Sequence, residues 1–486
     1  MFKAALLAIL ILIAPPTTAH AAESRIAPEE IRADFADLYR LLSESHYDLY
    51  ARVPRASYDR LFAQMRDEIR QPMTEMEAAA FFQRFMAFGR IAHARIDAVG
   101  TLYAAYREGG GRAFPIGVRM NGGRLFVAGN GSGLDSISAG DEIVALNGMT
   151  VAQWLDAAHR LVSADTPYML GAMLEWSFPR VLWSALGPVD HFELRLRRAE
   201  QEFGIRVPAR SRTEMIAALA SQPARLELSW QRRETRMLEG GIAYLRPGPS
   251  YNVEGKPENM YDTSAYAAFI DQAFEGFLAA GAKALIIDLR DNPGGDNSFS
   301  DHLIAWFADR PFRFNSRFQI RVSKATRRSN RERMNAEAND PTGIGAQLAA
   351  AYDRASDGEA IDFPTAEARP RLGARFSGRV YALVNRHSYS NTVTMAAILQ
   401  DYRFGTILGE ETSDLATTYG AMESFTLPRT KFEVAYPKAL ILRPSGDPVA
   451  RGVVPDLAIP RPIFEPPDDP VLRRAIEIAR EESDGI

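Results

Sequence analysis

Apolar residues recur at three- and four-residue spacing through the first hundred residues of the chain. This repeat predicts amphipathic helices across residues 27–96, with apolar positions at Phe35, Leu38, Leu41, Leu42, Leu61, Met65, Ile69, Phe81, Phe82, Phe85 and Met86. Thr74 and Glu77 have the spacing of a capping box, which marks the start of the last helix. We therefore expect residues 25–100 to fold as a helical domain.

From residue 101 the pattern changes to short apolar runs separated by glycine-rich turns, which is typical of strands. The predicted elements are a turn at Gly140 and Asp141, a strand over Glu142–Leu146, a hairpin turn at Asn147 and Gly148, and helices over Val151–Leu161 and Thr213–Ala220. The order over residues 136–162 resembles the second half of a PDZ domain, although the carboxylate-binding loop of such a domain is not recognisable. We expect residues 101–235 to form this PDZ-like domain and a connection.

From about residue 240 strands and helices alternate, which predicts an α/β core with a mixed sheet over residues 236–465. Helices are predicted over Thr263–Ala280, Ser298–Phe307 and Asn391–Tyr402, and strands over Ala284–Leu289 and Val380–Val384. We interpret the basic run between residues 324 and 333 as part of a solvated insertion. Residues 466–486 are expected to form a terminal helix or tail. The fold class is therefore predicted to be α/β with several domains.

A serine at the start of a predicted helix is the first candidate for chemistry. Ser390 follows the polar turn Asn385–Tyr389 at the end of a buried strand. The free N–H groups and the positive dipole end of a helix favour a developing negative charge, so a serine at this place can act as a nucleophile. The alternative is a structural N-cap, because serine is among the preferred capping residues.

Composition and the N-terminal sequence indicate where in the cell the protein acts and which partners it is expected to bind. The chain has 486 residues, and its net charge of −4, from 57 basic and 61 acidic residues, gives no reason to expect nucleic acid binding. Residues 1–21 are expected to be a signal peptide, because Lys3 precedes the apolar stretch Ala4–Ala14 and residues 19–21 have the small-x-small pattern of a cleavage site. The absence of cysteine excludes disulfides and thiolate metal sites. We expect a periplasmic or secreted protein without a membrane span in its mature chain.

Two segments that follow predicted strands carry a specific resemblance. They read ALIIDLRDNPGG at 284–295 and VNRHSYS at 384–390, and LQDY, ILGEET and GVVPDLAIP follow in order. Together they resemble the C-terminal processing (tail-specific) and tricorn-core serine protease family. The resemblance implies a ClpP/crotonase-like core in which Ser390 is the nucleophile. It also implies an oxyanion hole made by the N–H groups of Asn391 and of Gly294 or Gly295.

The resemblance offers two ways to activate Ser390, whose hydroxyl needs a base at neutral pH. The bacterial processing branch uses a lysine about 25 positions after the nucleophile, but this position holds Leu415. Lys431 and Lys438 lie further on and are expected to be solvated residues on strands. The tricorn-like branch uses a histidine that precedes the PDZ-like domain, and His93 lies in that setting. The resemblance therefore implies that His93 is the general base.

The surroundings of His93 depart from the pattern of this branch. Val449 stands where an orienting glutamate is expected, and Ala92 stands where a serine would precede the histidine. The competing His387 lies three residues before the proposed nucleophile on the same turn, which is unfavourable geometry for a base. No spacing of His, Asp and Glu suggests a metal site, and no cofactor is expected.

These observations lead to the hypothesis of an exported serine endopeptidase that cleaves peptides or unfolded protein tails through an acyl-enzyme. The first alternative is a weakened or inactive peptide-binding protein on the same fold, which the missing orienting groups favour. The second alternative is hydrolysis of a non-peptide ester or amide. The sequence predicts neither the cleavage preference nor the oligomeric state.

Overall fold

The computed structural model describes residues 24–255, 259–336 and 340–484, so the predicted signal peptide at 1–21 lies outside the described residues. Thirteen helices and nineteen strands, arranged in several sheets, occur within those ranges. The predicted α/β class with several domains is confirmed. None of the described helices is both long enough and apolar enough to span a membrane.

The first segment is mainly helical, as its apolar repeat predicts. Its elements are β1 (Arg25–Ile26), α1 (Pro28–Ser45), α2 (Arg55–Glu68), β2 (Met73–Thr74), α3 (Glu75–Phe88), β3 (Arg95–Ile96) and α4 (Ala98–Glu108). The capping box predicted for α3 is formed, since the Thr74 hydroxyl accepts the Glu77 N–H at 3.2 Å and the Glu77 carboxylate accepts the Thr74 N–H at 2.8 Å. This cap fixes the start of the helix that leads to His93.

The middle segment is built on a six-stranded sheet in the order β4-β5-β6-β8-β9, with β7 paired to β6. Its elements are β4 (Ile116–Asn121), β5 (Arg124–Asn130), β6 (Glu142–Leu146), β7 (Met149–Thr150), α5 (Val151–Ala158), α6 (Pro167–Leu186), β8 (His191–Arg198), β9 (Gln201–Pro208) and α7 (Arg212–Ala220). The predicted strand β6 is confirmed residue for residue. Helix α5 ends three residues early, because the N–H groups of Arg160 and Leu161 bond three residues back, to Ala157 O and Ala158 O, in place of the four-residue spacing of an α-helix.

Helix α6 has no counterpart among the predicted elements. Its 20 residues are apolar around most of the circumference and include Pro179, so no 3.6-residue period stands out. It packs on β4 and contributes Met169, Leu174, Phe178 and Val181 to the core of the middle segment.

The third segment alternates strands and helices. Its elements are β10 (Glu234–Leu238), β11 (Ile242–Arg246), α8 (Ser264–Ala279), β12 (Ala284–Asp288), α9 (Asn297–Ile304), β13 (Arg317–Arg321), α10 (Lys324–Ala336), α11 (Ile344–Tyr352), β14 (Ala360–Asp362), β15 (Arg379–Val384), α12 (Asn391–Asp401), β16 (Thr406–Gly409), β17 (Thr418–Thr426), β18 (Glu433–Leu442), β19 (Leu457–Ala458) and α13 (Pro470–Asp484). The predicted strand–turn–helix unit around Ser390 is confirmed as β15 and α12.

A mixed six-stranded sheet forms the centre of this segment, in the order β10-β11-β12-β15-β16-β19. Strand β10 is antiparallel to β11, and the remaining pairs are parallel. On one face, Leu285 and Ile287 of β12 pack with α8, α9 and α12, whereas on the other face Ala284 and Ile286 pack with α13. Because β12 and β15 are parallel neighbours, the turns that follow them meet at one edge of the sheet.

A second sheet joins the first and third segments. Its strands run in the order β14-β13-β18-β17, and β3 pairs antiparallel with β18 through Ile96 opposite Val434 and Arg95 opposite Ala435. Residues of β17 and β18 share a hydrophobic core with α1 and α3. The segment that carries His93 is therefore fastened to the α/β core.

The interpretation of the basic run as a solvated insertion is only partly correct. The run forms α10, in which Thr326 and Asn330 are fully buried against the second sheet and α11. Its Arg327 pairs with Asp357 at 3.1 Å, and Arg333 pairs with the buried Glu423 at 3.2 Å. The charge run thus lies on an amphipathic helix whose polar residues make specific contacts.

Candidate active site

The turns that follow β12 and β15 are bonded to each other, as their parallel strands lead us to expect. The Asn385 side chain accepts the Asp291 N–H at 3.1 Å, and the Tyr389 N–H donates to Asn292 O at 2.9 Å. The Ser388 hydroxyl donates to Leu289 O at 2.8 Å. These bonds hold the glycine-rich turn against the turn that carries Ser390.

Ser390 occupies the N-cap position of α12, but its side chain does not cap the helix. Its backbone has φ +54° and ψ −125°, a strained conformation for a residue other than glycine. The interpretation of Ser390 as a hydroxyl cap is therefore wrong. A strained serine at a sharp strand-to-helix turn has the geometry of a nucleophile elbow, in which the hydroxyl is held away from the helix.

Of the three residues expected to supply oxyanion donors, Gly294 packs on Ser390, Asn391 follows Ser390 directly, and Gly295 is the residue after Gly294. A Cβ on Gly294 would lie 2.9 Å from Ser390 Cβ and 2.7 Å from the Asn391 nitrogen, so only glycine fits at this position. The Gly294 N–H is already bonded to the Asn292 side-chain oxygen at 3.0 Å. Among the described residues, nothing accepts a hydrogen bond from the N–H of Gly295 or of Asn391. Of the two glycines, Gly295 is the one with a free donor.

His93 lies in the short connection between α3 and β3, and its ring stacks on the ring of Tyr389 with centroids 5.4 Å apart. Only 5% of its surface is exposed, and burial lowers the pKa of the imidazole to about 4. Within the described part of the chain, its Nδ1 has no hydrogen-bond partner and no hydrogen bond joins the ring to Ser390. The structure thus brings His93 against the residue adjacent to Ser390, as a neutral imidazole.

The backbone around His93 is held from the middle segment by groups that sequence reasoning missed. The carboxylate of Asp165 accepts the Ala92 N–H at 3.0 Å, and the Ser163 hydroxyl donates to Ala94 O at 2.6 Å. Arg52 pairs with Asp165 at 2.7 Å. Asp165 directly precedes Thr166, the N-cap of α6. Thr166 and Pro167 are a helix-start signal, but without an apolar period after them the helix and the role of Asp165 were missed.

The structure shows whether Leu415, which stands at the expected lysine position, and the two later lysines, Lys431 and Lys438, are buried. Leu415 is buried, and the Asp414 carboxylate beside it accepts the Ser390 N–H at 2.6 Å. Lys431 is exposed, as expected. The expectation that Lys438 is solvated is wrong, because its ammonium is buried and paired with Glu423. Burial lowers the pKa of Lys438, although the paired carboxylate opposes this shift.

His387 lies between two carboxylates and has an electrostatic role. Its Nε2 is 3.1 Å from Glu175 of α6 and its Nδ1 is 3.2 Å from Asp291. Burial lowers the pKa of His387, but the two carboxylates outweigh burial and raise it above its ordinary value. Glu175 also pairs with Arg386 at 3.0 Å, so this cluster fastens the middle segment to the α/β core.

The chain is similar to known serine peptidases in sequence pattern and in fold. Residues 258–459 match the model of peptidase family S41. The chain is similar in structure to mature CPAF complexed with lactacystin, with a TM-score of 0.63 and 16% identity over 94% of this chain and 98% of that chain. It is similar to mature CPAF alone, with a TM-score of 0.61 and 15% identity over 93% and 97% of the two chains. The photosystem II D1 C-terminal processing protease is also similar, with a TM-score of 0.41 and 16% identity over 88% and 92%. No curated protein sequence matches the chain.

Proposed function

We propose that Ser390 and His93 carry the reaction of this chain, which contains a peptidase family S41 domain at residues 258–459 and is a serine-type peptidase. The observation that carries the proposal is the turn at Ser390. Its strained backbone frees the hydroxyl from capping. The N–H groups of Asn391, the next residue, and of Gly295, which follows the glycine packed on Ser390, have no partner among the described residues. Free N–H donors of this kind are what an oxyanion requires.

In the proposed reaction the Ser390 hydroxyl attacks the scissile carbonyl carbon and its proton passes to His93. The carbonyl oxygen becomes an oxyanion and accepts hydrogen bonds from the Gly295 and Asn391 N–H groups. When the C–N bond breaks, protonated His93 gives its proton to the leaving amine. A water molecule then attacks the acyl-enzyme with His93 again as base, which releases the acid and restores the Ser390 hydroxyl.

The histidine must come into contact with Ser390 during this cycle. Its ring stacks on Tyr389, the residue before Ser390, so the proposed cycle requires a change of the His93 side-chain rotamer that brings the imidazole to the hydroxyl. Catalytic hydrogen bonds often tighten only in the substrate complex. Neutral His93 has its lone pair available at physiological pH, although a pKa of about 4 makes it a weaker base than free imidazole.

We further propose that the substrate is a peptide or an unfolded protein tail. His93 is exposed by only 5%, and Ser390 is partly buried. Both side chains must act on one scissile carbonyl, so an extended chain that enters the site fits it better than the surface of a folded protein.

We also propose that the protein is exported and that cleavage after Ala21 removes the signal peptide. Expression of the full chain in a bacterial host, followed by N-terminal sequencing of the periplasmic fraction, tests this proposal. A mature protein that begins at Ala22 is expected. A full-length chain in the cytoplasmic fraction would contradict it.

The decisive experiment compares the wild type with Ser390→Ala on fluorescently labelled casein and with a fluorophosphonate probe. We expect hydrolysis and labelling by the wild type and neither by the variant. Ser388→Ala is the matched control on the same turn, and it should keep the label even though it loses the bond to Leu289 O. Fragmentation of the labelled tryptic peptide 387–403 then assigns the probe to one of the two serines.

A non-catalytic peptide-binding role remains the second candidate, favoured by the unpartnered Nδ1 of His93. Under this alternative the wild type binds unfolded casein but neither hydrolyses it nor reacts with the probe. Hydrolysis of ester substrates without hydrolysis of casein would instead indicate a non-peptide substrate. Residual casein hydrolysis by Ser390→Ala would overturn the assignment of the nucleophile.

A further inference from the structure

A buried aspartate contacts the backbone of the proposed nucleophile. Asp414 is 1% exposed and lies in the segment between β16 and β17. Its Oδ2 accepts the Ser390 N–H at 2.6 Å, and its Oδ1 accepts the Leu415 N–H at 2.9 Å. Within the described residues no cation is paired with this carboxylate. Both of its partners are therefore backbone N–H groups, one of them that of the nucleophile.

The hydrogen bond from Ser390 completes the fixation of the peptide group before this residue. The carbonyl of that group, Tyr389 O, accepts the Thr392 N–H at 3.1 Å, while its N–H is held by Asp414. The peptide group after Ser390 is fixed by its carbonyl, which accepts N–H groups from Val393 at 2.9 Å and Thr394 at 3.2 Å. With both planes fixed, the dihedral angles of Ser390 have no freedom to relax from their strained values.

The segment that carries Asp414 is itself anchored on two sides. Ser413 donates from its hydroxyl to Arg386 O at 2.5 Å, in the turn that leads to Ser390. Thr412 exchanges bonds with Val453, whose N–H donates to the Thr412 hydroxyl at 2.9 Å, and Gly452 packs so closely on Thr412 O that a Cβ would lie 1.9 Å away. Asp414 is thus a rigid acceptor that the strained turn cannot displace.

We propose that Asp414 is a positioning residue for the nucleophile, because its carboxylate holds the Ser390 N–H and so keeps the turn in its strained form. In this form the Asn391 N–H is left without an acceptor and is available to an oxyanion. The inference deepens the proposed function and rests on it. In the Ser–Lys branch of the family that this chain resembles, a lysine is expected at the position of Leu415. Here the preceding residue, Asp414, serves the nucleophile by a different contact.

Loss of this acceptor has a predictable consequence. Without Asp414 the partly buried Ser390 N–H loses its acceptor, so the peptide group between Tyr389 and Ser390 is free to rotate and to relieve the strain. Rotation moves the Ser390 hydroxyl and the Asn391 N–H away from a common reacting carbonyl. A displacement of this size lowers kcat with little change in KM, because it affects the transition state more than substrate binding.

The test measures kcat, KM and the rate of fluorophosphonate labelling for Asp414→Ala and Asp414→Asn, together with a crystal structure of each variant. We expect Asp414→Ala to lose about 100-fold in kcat and in labelling rate with KM nearly unchanged. In Asp414→Asn one amide oxygen can still accept the Ser390 N–H, so we expect the loss to be smaller, about 10-fold. The φ angle of Ser390 should become negative in Asp414→Ala and stay positive in Asp414→Asn.

The matched control is Asp34→Ala on α1, outside the site. Asp34 is fully buried and accepts the Thr430 N–H at 2.6 Å, the same length as the Asp414 bond. Its removal should destabilise the fold while kcat per folded molecule stays within about twofold of wild type. A comparable loss of kcat in Asp34→Ala would show that the effect of Asp414 is a general loss of stability.

The outcomes separate this inference from the proposed function. If Ser390→Ala is inactive and Asp414→Ala keeps wild-type kcat and a positive φ at Ser390, the inference is overturned and the proposed function stands. If Ser390→Ala keeps activity, the proposed function fails, and the φ angle of Ser390 in Asp414→Ala still decides whether Asp414 holds the turn. If Asp414→Ala does not fold, Asp414→Asn decides the matter, and a negative φ in that variant would contradict the role of its oxygen.

Discussion

His93 is buried and His387 is partly buried, both next to the turn that carries Ser390, and their electrostatic environments are opposite. His93 stacks on Tyr389, has an Nδ1 without a partner among the described residues, and has a pKa lowered to about 4 by burial. His387 lies within 3.2 Å of two carboxylates, which hold its pKa above the ordinary value despite burial. At neutral pH the first ring is neutral, whereas the carboxylates beside the second ring stabilise its charged form.

The histidine that is nearer to Ser390 in the sequence is the less suitable general base. His387 is three residues from Ser390, but both of its ring nitrogens face carboxylates, so it has no free lone pair to accept a proton. His93 is far away in sequence but has the free lone pair that a base requires. We therefore expect substitutions of the two histidines to affect different quantities, catalysis for His93 and stability for His387.

The largest expected effect comes from His93→Gln. Loss of a general base lowers kcat by a factor on the order of 10²–10⁴, while far-UV circular dichroism should show a folded protein. His387→Gln serves as the matched comparison, with kcat per folded molecule within about tenfold of wild type. A greater loss of kcat in His387→Gln than in His93→Gln would reverse the assignment of the two rings.

The next effect concerns stability. His387→Gln removes the contacts of the imidazole with Glu175 and Asp291, but Glu175 keeps Arg119 at 3.2 Å and Arg386 at 3.0 Å. Because hydrogen bonds to charged groups contribute about 1.5–3 kcal/mol, we expect a loss in this range. Urea denaturation should show this loss in the free energy of unfolding. His93→Gln should cost less, because no hydrogen bond or ion pair of the described residues is lost with the ring. Equal losses in the two variants would refute the view that His387 is the structural histidine.

The pH dependence of kcat/KM is expected to follow the lowered pKa of His93. The general base must be neutral, so activity should persist below the ordinary histidine value of about 6.5 and fall near pH 4. Burial raises the pKa of Asp414 to about 6, so any step near pH 6 belongs to that residue if it disappears in Asp414→Asn. A single step near 6.5 that persists in Asp414→Asn would contradict the buried, neutral His93.

The smallest effect is the pH dependence of stability, at most about 1.4 kcal/mol per pH unit for each group. The folded pKa of His93 is lowered, so its contribution is complete above the unfolded value near 6.5 and is lost as the pH falls toward 4. The folded pKa of His387 is raised, so its contribution is complete below 6.5 and is lost as the pH rises through the folded value.

Thermal midpoints across pH 4–9 test these signs by difference. The difference in thermal midpoint between the wild type and His93→Gln should change with pH only below pH 6.5. The difference in thermal midpoint between the wild type and His387→Gln is evaluated above pH 6.5. At low pH the loss of the imidazole also changes the titration of Glu175 and Asp291. Differences of the same sign in both windows would show that the two environments are not opposite.

Much of the local structure follows from the sequence. Strand β6 and the strand–turn–helix unit around Ser390 were predicted within a residue or two, because an apolar run, a polar turn and helical spacing are local signals. Helix α6 was missed, because a helix that is apolar on most sides has no periodic pattern. The burial of Lys438 was missed, because its partner Glu423 lies on the neighbouring strand and pairing across strands leaves no mark in the order of residues.

For the candidate site too, some features follow from the sequence and others only from the tertiary structure. The sequence by itself determined Ser390, its helix and the two glycines, since each belongs to a short motif at the end of a strand. Only the tertiary structure decided which glycine keeps a free N–H, what holds the backbone of Ser390, and how His93 reaches its neighbour Tyr389. The physical reason is that these features depend on contacts across the fold: β3 must pair with β18, and Asp165 and Asp414 must bond to backbone groups far away in sequence or across a turn.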